Sequence, residues 1–383
     1  MELPLDYPTL RVIWWALMGV LLIGFAITDG FDLGVASLLP FVARTDAERR
    51  MVINTIGPTW EGNQVWFILG GGAIFAAWPF VYAVSFSGFY LAMFAVLASL
   101  ILRPVGFKYR SKRPARAWRS TWDWALFVGG FAPALVFGVA VGNVLQGVPF
   151  KLDDTLRATY EGTFFGLFTP FTLLTGLLSV AMLVTHGAAW LTLKAEIGPV
   201  RDRARTIGTL AAAASIVLFL AGGAFVAFAG LGYTVQGDSL DLAGPSNPLR
   251  AVAEPSAGAW LANYGRFPWM GAAPLLGFAG ALVALIGIRA GREAPAFLGS
   301  SISALGVIST VGLSMFPFIL PSSIDPRSSL LVWNASSSHM TLFIMLLVTL
   351  VFLPIVLAYT AWAFKVMWGR STTGALNVNP DLY

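Results

Sequence analysis

PTWEGNQVW, Pro58 to Trp66, opens an apolar stretch that runs to about Trp78. Read as the first turns of a helix, it carries an acid, Glu61, and two amides, Asn63 and Gln64, between Trp60 and Trp66. The apolar run before it holds a second polar cluster, GFAITDGFDLG, with Asp29 and Asp32 inside it. A carboxylate within a membrane span costs roughly 2.5–3.5 kcal/mol on insertion scales. Acids retained at that cost point to proton handling or to packing against a partner.

Working outward, the chain has 383 residues, 57% of them hydrophobic and only 11% charged, against about 25% charged in a soluble domain. The composition is that of an all-α, polytopic membrane protein, read as one integral-membrane domain over residues 1–383. With no cysteine, disulfides, iron–sulfur clusters and thiolate ligation are excluded. With two histidines, His186 and His339, a multi-histidine metal centre in this chain is not expected. The opening MELPLDYPTLR lacks a basic n-region, so the first apolar run reads as a retained span and not a signal peptide.

Nine apolar runs are long enough to cross a hydrocarbon core, near 12–42, 60–78, 80–102, 122–146, 164–193, 206–232, 267–289, 294–319 and 340–366. Only Trp78-Pro79 separates the second from the third. The alternate connections that include RPVGFKYRSKRPARAWRS carry 18 Lys/Arg against six on the other side. The positive-inside rule then places the N-terminus outside and the C-terminus in the cytoplasm. The basic loop Arg103–Arg119 reads as a topology signal and an anionic-lipid contact, with no nucleic acid as partner.

That orientation gives the acids a depth. Asp29 lies roughly 26 Å along the first run at 1.5 Å per residue, Asp32 shares its face by i,i+3 spacing, and Glu61 starts the second run from the same side. All three fall in one inner layer, where a proton entrance needs a titratable group. Structural readings compete: an ion pair with a loop arginine or a packing hydrogen bond for Asp29 and Asp32, and a helix N-terminal charge for Glu61. Trp60 suits an interfacial anchor; Trp66, about 9 Å further along, suits burial against another helix. His186 reads as a packing histidine, His339 as exposed, Asp123 as a cap on the fourth run, and Gly70-Gly71-Gly72 as a site of close helix approach. On these residues alone a proton-coupled secondary transporter remains an alternative, although its coupling residues would be expected near the midplane.

The blocks RVIWWALMGVLLIGFAITDGFDLG, ERRMVINTIGPTWEGNQVWFILGGGAIFAAWPFVYA, FSGFYLAM, LRPVGFKYRSK, WDWALFVGGFAPALVFGVAVGNVLQGVPF, AGAWL, MFPFILPSS and YTAW together resemble subunit II of the cytochrome bd-type quinol oxidases. The resemblance covers nearly the whole chain, and ordered blocks of this length are specific. It implies a haem-free subunit of a terminal oxidase of the bacterial cytoplasmic membrane. Two four-helix bundles and one peripheral helix are the implied architecture. Haems b and d and the quinol-oxidising loop are implied on the partner, subunit I. A small single-helix subunit and a structural quinone (ubiquinone or a relative) are implied as further companions. By the same resemblance Glu61 matches an acid of a proton pathway, often aspartate in the family, and Trp66 a tryptophan near the oxygen access route. Asp29, Asp32 and Arg103 match charged positions.

Overall fold

The computed structural model describes residues 3–237 and 240–374; Met1 and Glu2 of the acidic opening, and Asp238 and Ser239 of the connection between the sixth and seventh apolar runs, lie outside the described residues. Among the described residues, eight helices are long and apolar enough to cross a membrane: α1 (Tyr7–Val42), α5 (Tyr90–Tyr109), α6 (Arg116–Gln146), α7 (Pro170–Lys194), α8 (Pro199–Phe228), α10 (Ala272–Ala290), α11 (Glu293–Met315) and α12 (His339–Val366). Between them lie α2 (Asp46–Ile56), α3 (Trp60–Ala77), α4 (Pro79–Gly88) and α9 (Ala259–Arg266). Among the described residues three short antiparallel strand pairs also lie between the helices: β1 (Phe150–Leu152) with β2 (Ala158–Tyr160), β3 (Tyr233–Val235) with β4 (Ala253–Pro255), and β5 (Phe318–Leu320) with β6 (Leu330–Leu331).

Several boundaries differ from the sequence expectation for identifiable reasons. The run expected at 80–102 is broken. Pro79 starts the ten-residue α4, which ends at Gly88 with Tyr160 of β2 packed against it, and α5 begins only at Tyr90. Helix α5 then continues to Tyr109, which carries Arg103 out of the expected loop and into a helix. Helix α7 starts at Pro170, later than the expected 164, because Thr169 and Thr172 form a capping box after a short 3-10 turn. Helix α11 stops at Met315 because the chain turns into the β5–β6 hairpin. Helix α2 was not expected; Thr45 and Glu48 cap it reciprocally, and it buries Met51, Val52 and Ile53.

Helix α1, 36 residues long, is the axis of packing: α3, α6, α7 and α11 all lie against it. The α1–α7 crossing depends on Gly34 and Gly187, since a Cβ on Gly34 would sit 2.0 Å from the Leu183 carbonyl oxygen and one on Gly187 2.4 Å from the Gly34 carbon. Such contact of small residues is how helices associate where lipid removes the hydrophobic drive. Gly70, Gly71 and Gly72 do the opposite of what the sequence suggests: nothing stands within 4 Å of a Cβ built on any of them. They make no close approach inside this chain. Helices α7, α8, α10 and α11 pack on one another, whereas α12 lies only lightly on α1 and α3. In the C-terminal half of α1, Phe31 stacks on Trp190 with ring centroids 3.9 Å apart.

Candidate functional site: a buried carboxylate–arginine cluster

The residues that meet inside the bundle come from α1, α3 and α5. Asp29 and Asp32 project from one face of α1, and Arg103 reaches them from α5. Its Nη1 and Nη2 donate to the two Asp29 oxygens at 3.0 and 2.7 Å, and Nη2 lies 3.9 Å from Asp32 Oδ2. Asn63 of α3 donates its Nδ2–H to Asp32 Oδ2 at 2.8 Å. Both aspartates and the arginine have 0% exposure. Among the described residues, two polar atoms there have no partner, Asp32 Oδ1 and Arg103 Nε.

One guanidinium faces two carboxylates, so the fully ionised group would carry a net charge of −1 in a space closed to solvent. A single proton neutralises it. Burying an unpaired charge is costly. The ion pair anticipated for Asp29 is present, made by an arginine on a helix and not on a loop.

Glu61 is not in this cluster. It sits on the exposed face of α3, while Trp60, Asn63, Trp66 and Gly70 form the buried face. Their spacing of three, three and four residues is the helical stripe that sequence reasoning could have used to prefer Asn63 as the inward polar group. Arg103 likewise falls on the α5 stripe Ala92, Val96, Ser99, Arg103, Gly106. Trp66 is buried, and its ring lies on α1 where Gly24 leaves room; a Cβ there would be 2.7 Å from Trp66 Cε3. Trp60 is buried too, its ring centroid 5.4 Å from that of Phe107, so it is a core residue and not an interfacial anchor.

His186 is fully buried between α1, α7 and α11. Its Nδ1 is 2.7 Å from Ser300 Oγ and its Nε2 2.9 Å from the Ile27 carbonyl oxygen, and its ring stacks on Phe297. Both nitrogens are engaged, which fits packing and leaves no free nitrogen for a haem iron. His339 is half-buried, not exposed, because Tyr7 stacks on it and the Leu5 carbonyl oxygen lies 2.7 Å from its Nε2. Among the described residues no group of three or more His, Cys, Asp or Glu could hold a metal ion.

Around α2 and the start of α6 a second charged network ties helices together. Asp123 lies well inside α6, not at its start, and accepts from Arg110 Nε at 2.5 Å and Arg49 Nη1 at 2.6 Å. Asp46 accepts from Arg110 and Arg119, at 3.0 and 2.7 Å. Burial opposes ionisation of Glu48, but the Arg44 backbone N–H, the Arg203 guanidinium and the Thr45 N–H together hold its carboxyl below the usual carboxylate range. Asp123 thus clamps α2 and α5 to α6, a role its position in the sequence does not reveal.

Comparison with known proteins agrees with this architecture. Residues 10–367 match the family described as cytochrome bd terminal oxidase subunit II. The chain is 50% identical to cytochrome bd-I ubiquinol oxidase subunit 2 of Escherichia coli strain K12, over 96% of this chain and 97% of that one. It is 49% identical to a probable cytochrome oxidase subunit 2 of Haemophilus influenzae, over 98% of each. It is 30% identical to cytochrome bd ubiquinol oxidase subunit 2 of Bacillus subtilis, over 94% of this chain and 97% of that one. Among solved structures it superposes on a chain of the bd oxidase from Geobacillus thermodenitrificans with a TM-score of 0.68 at 14% identity, covering 94% of this chain and 98% of that chain. At that identity the likeness speaks for the fold.

Proposed function

The chain belongs to the cytochrome bd terminal oxidase subunit II family, and from that premise we propose how its buried cluster serves the enzyme. The protein is a multi-pass membrane subunit of a quinol:O2 oxidoreductase, which oxidises quinol and reduces O2 to water together with a partner oxidase subunit. The transporter alternative has no support among these relatives.

Reduction of O2 to water takes up a proton for each electron, so protons must enter a reaction centre sealed from water. In our reading Glu61, Asp29 and Asp32 contribute to that entry from the cytoplasmic side. Glu61, on the open face of α3, collects the proton. Asp32, bonded to Asn63 two residues along α3 on its buried face, holds it, and the Arg103–Asp29 pair fixes the charge balance. Trp66 shapes an apolar passage for O2 and takes no part in the chemistry. The observation that carries the reading is the excess of one carboxylate over arginine in a fully buried cluster.

The finer arrangement belongs to the same proposal. The chain acts as one integral-membrane unit over 1–383, with nine crossings. The ninth is α3, whose polar first turns lower its hydropathy but whose 18 residues span about 27 Å. Helices α1, α3, α5 and α6 form one four-helix bundle, α7, α8, α10 and α11 the other, and α12 the peripheral helix. The N-terminus faces outward and the C-terminus the cytoplasm, in the bacterial cytoplasmic membrane. Haems b and d reside on subunit I, and a small single-helix subunit and a structural quinone complete the assembly.

The test is Asp32→Asn in the assembled oxidase, with quinol-driven O2 consumption compared at matched haem content. A marked fall with the haem spectrum unchanged supports the reading. A wild-type rate throughout the pH range refutes a proton role for the cluster.

A further inference from the structure

The α5–α6 hairpin carries a feature that neither catalysis nor the clamp uses. Lys112, Arg113 and Arg116 are all exposed, and among the described residues none of them pairs with an acid. Their neighbours Arg110 and Arg119 are ion-paired with Asp123 and Asp46, a network in which the side chains of these three cations take no part. The hairpin that displays them is held in place. Arg113 lies 4.9 Å over the Trp118 ring, its carbonyl oxygen accepts from Arg119 Nε at 3.1 Å, and Trp118 Nε1 donates to the Tyr109 carbonyl at 2.9 Å.

Directly along α6 from this cationic head runs an aromatic ladder. Trp124 and Phe127 have ring centroids 5.4 Å apart, Phe127 and Phe131 stack at 5.3 Å, and Phe41 of α1 closes on Phe127 at 5.8 Å and on Trp124 at 6.3 Å. Trp124 and Phe41 are each 51% exposed. Arg116, Phe127 and Phe131 are spaced by eleven and four residues, which puts them on one side of the helix. The surface therefore presents a positive head at one end and a half-buried aromatic track leading away from it.

We propose that this surface is a binding site for an anionic phospholipid, its phosphate held by Lys112, Arg113 and Arg116 and one acyl chain laid along Phe41, Trp124, Phe127 and Phe131. Two features select the ligand. The unpaired cations require a negatively charged head, since each Lys or Arg at a membrane surface favours anionic lipid by roughly fivefold. The ladder requires an apolar chain covalently joined to that head, which excludes free phosphate and acidic peptides. A neutral phospholipid satisfies only the second. The site lies on the end where α2 and the charged network gather, away from the Asp29–Asp32–Arg103 cluster, and it stands whether or not that cluster carries protons.

The test uses the whole oxidase in phosphatidylcholine nanodiscs doped with phosphatidylglycerol that bears a photoreactive acyl chain. Labelled peptides are mapped after illumination. Labelling should concentrate within Trp124–Phe131 and exceed that from a phosphatidylcholine probe. It should fall by about a hundredfold in the combined Lys112→Gln, Arg113→Gln, Arg116→Gln variant, at about fivefold per cation, and inorganic phosphate should not compete. A Phe127→Ala variant should lose label with the cationic head intact. Equal labelling by the neutral and anionic probes would overturn the proposal, leaving ordinary annular lipid. So would cross-linking of this face to the partner subunit in place of lipid.

Discussion

Arg103 grips Asp29 through both terminal nitrogens, at 2.7 and 3.0 Å, with neither side chain exposed. A planar fork matched to a carboxylate is the geometry that lysine cannot reproduce. Removing one partner strands the other charge inside the bundle. Arg103→Leu should therefore destabilise the subunit by about 3–5 kcal/mol, seen as a lower thermal midpoint or loss of the assembled complex. Arg103→Lys should restore part of the stability. Equal stability of wild type and Arg103→Leu would show that the pair is not needed to hold α5 on α1.

Glu61 gives the sharpest test of the entry step. Glu61→Gln keeps size and hydrogen bonding but cannot titrate, and Glu61→Asp keeps the charge on a shorter stem. The expected order of O2 consumption at matched haem content is wild type, then Asp, then Gln, measured from about pH 6 to about pH 9. Because Glu61 is exposed in this chain, Gln should leave the subunit folded. If Gln runs at the wild-type rate over the whole range, Glu61 is only a charge at the α3 N-terminus.

Trp66 and Gly24 can be tested as a pair. Trp66→Ala should open a cavity against α1 and cost about 3–5 kcal/mol, with altered O2 affinity or rate and near-normal quinol binding. Gly24→Ala pushes on the Trp66 ring and should cost about 1–3 kcal/mol. Oxygen kinetics unchanged in a well-assembled Trp66→Ala complex would remove this residue from the access route.

His186→Ala should leave every haem band of the complex in place, because both ring nitrogens are spent on Ser300 and Ile27. Its cost should be structural, about 2–4 kcal/mol from the cavity and two lost hydrogen bonds. Loss of a haem band from an assembled complex would contradict the assignment.

Glu48 sets an acid-side limit. Its folded carboxyl titrates below the ordinary 4.5, so its stabilisation is present above that value and disappears as pH falls through the folded value. Glu48→Gln should be less stable than wild type at neutral pH, and the difference should shrink as the medium is acidified below about pH 4.5. A gap in melting temperature that stays constant with pH would show that the carboxyl is not held by Arg203 and the Arg44 and Thr45 amides.

Much of this protein was written in the order of its residues. Long apolar runs and sparse charge require backbone groups to be satisfied within helices, so a polytopic helical membrane protein follows from composition and hydropathy alone. The blocks around Asp29, Asp32 and PTWEGNQVW were enough to indicate the family. The stripe Trp60, Asn63, Trp66, Gly70 is also present in the spacing, with the charged Glu61 off its line.

Other features depend on which helices meet. Hydropathy ends the third run at Arg103 because a cation is assumed to face water; only the fold shows α1 presenting Asp29 to it, which allows a charge to stay inside. Asp123 looks like a helix-start acid until Arg49 and Arg110, distant in sequence, converge on it. The Gly70–Gly72 run could mark close packing in any neighbourhood, and among the described residues nothing comes within 4 Å of a Cβ built there. Periodicity along one helix specifies which side is buried, but a buried charge is tolerated only by its partner, and partners are chosen by tertiary packing.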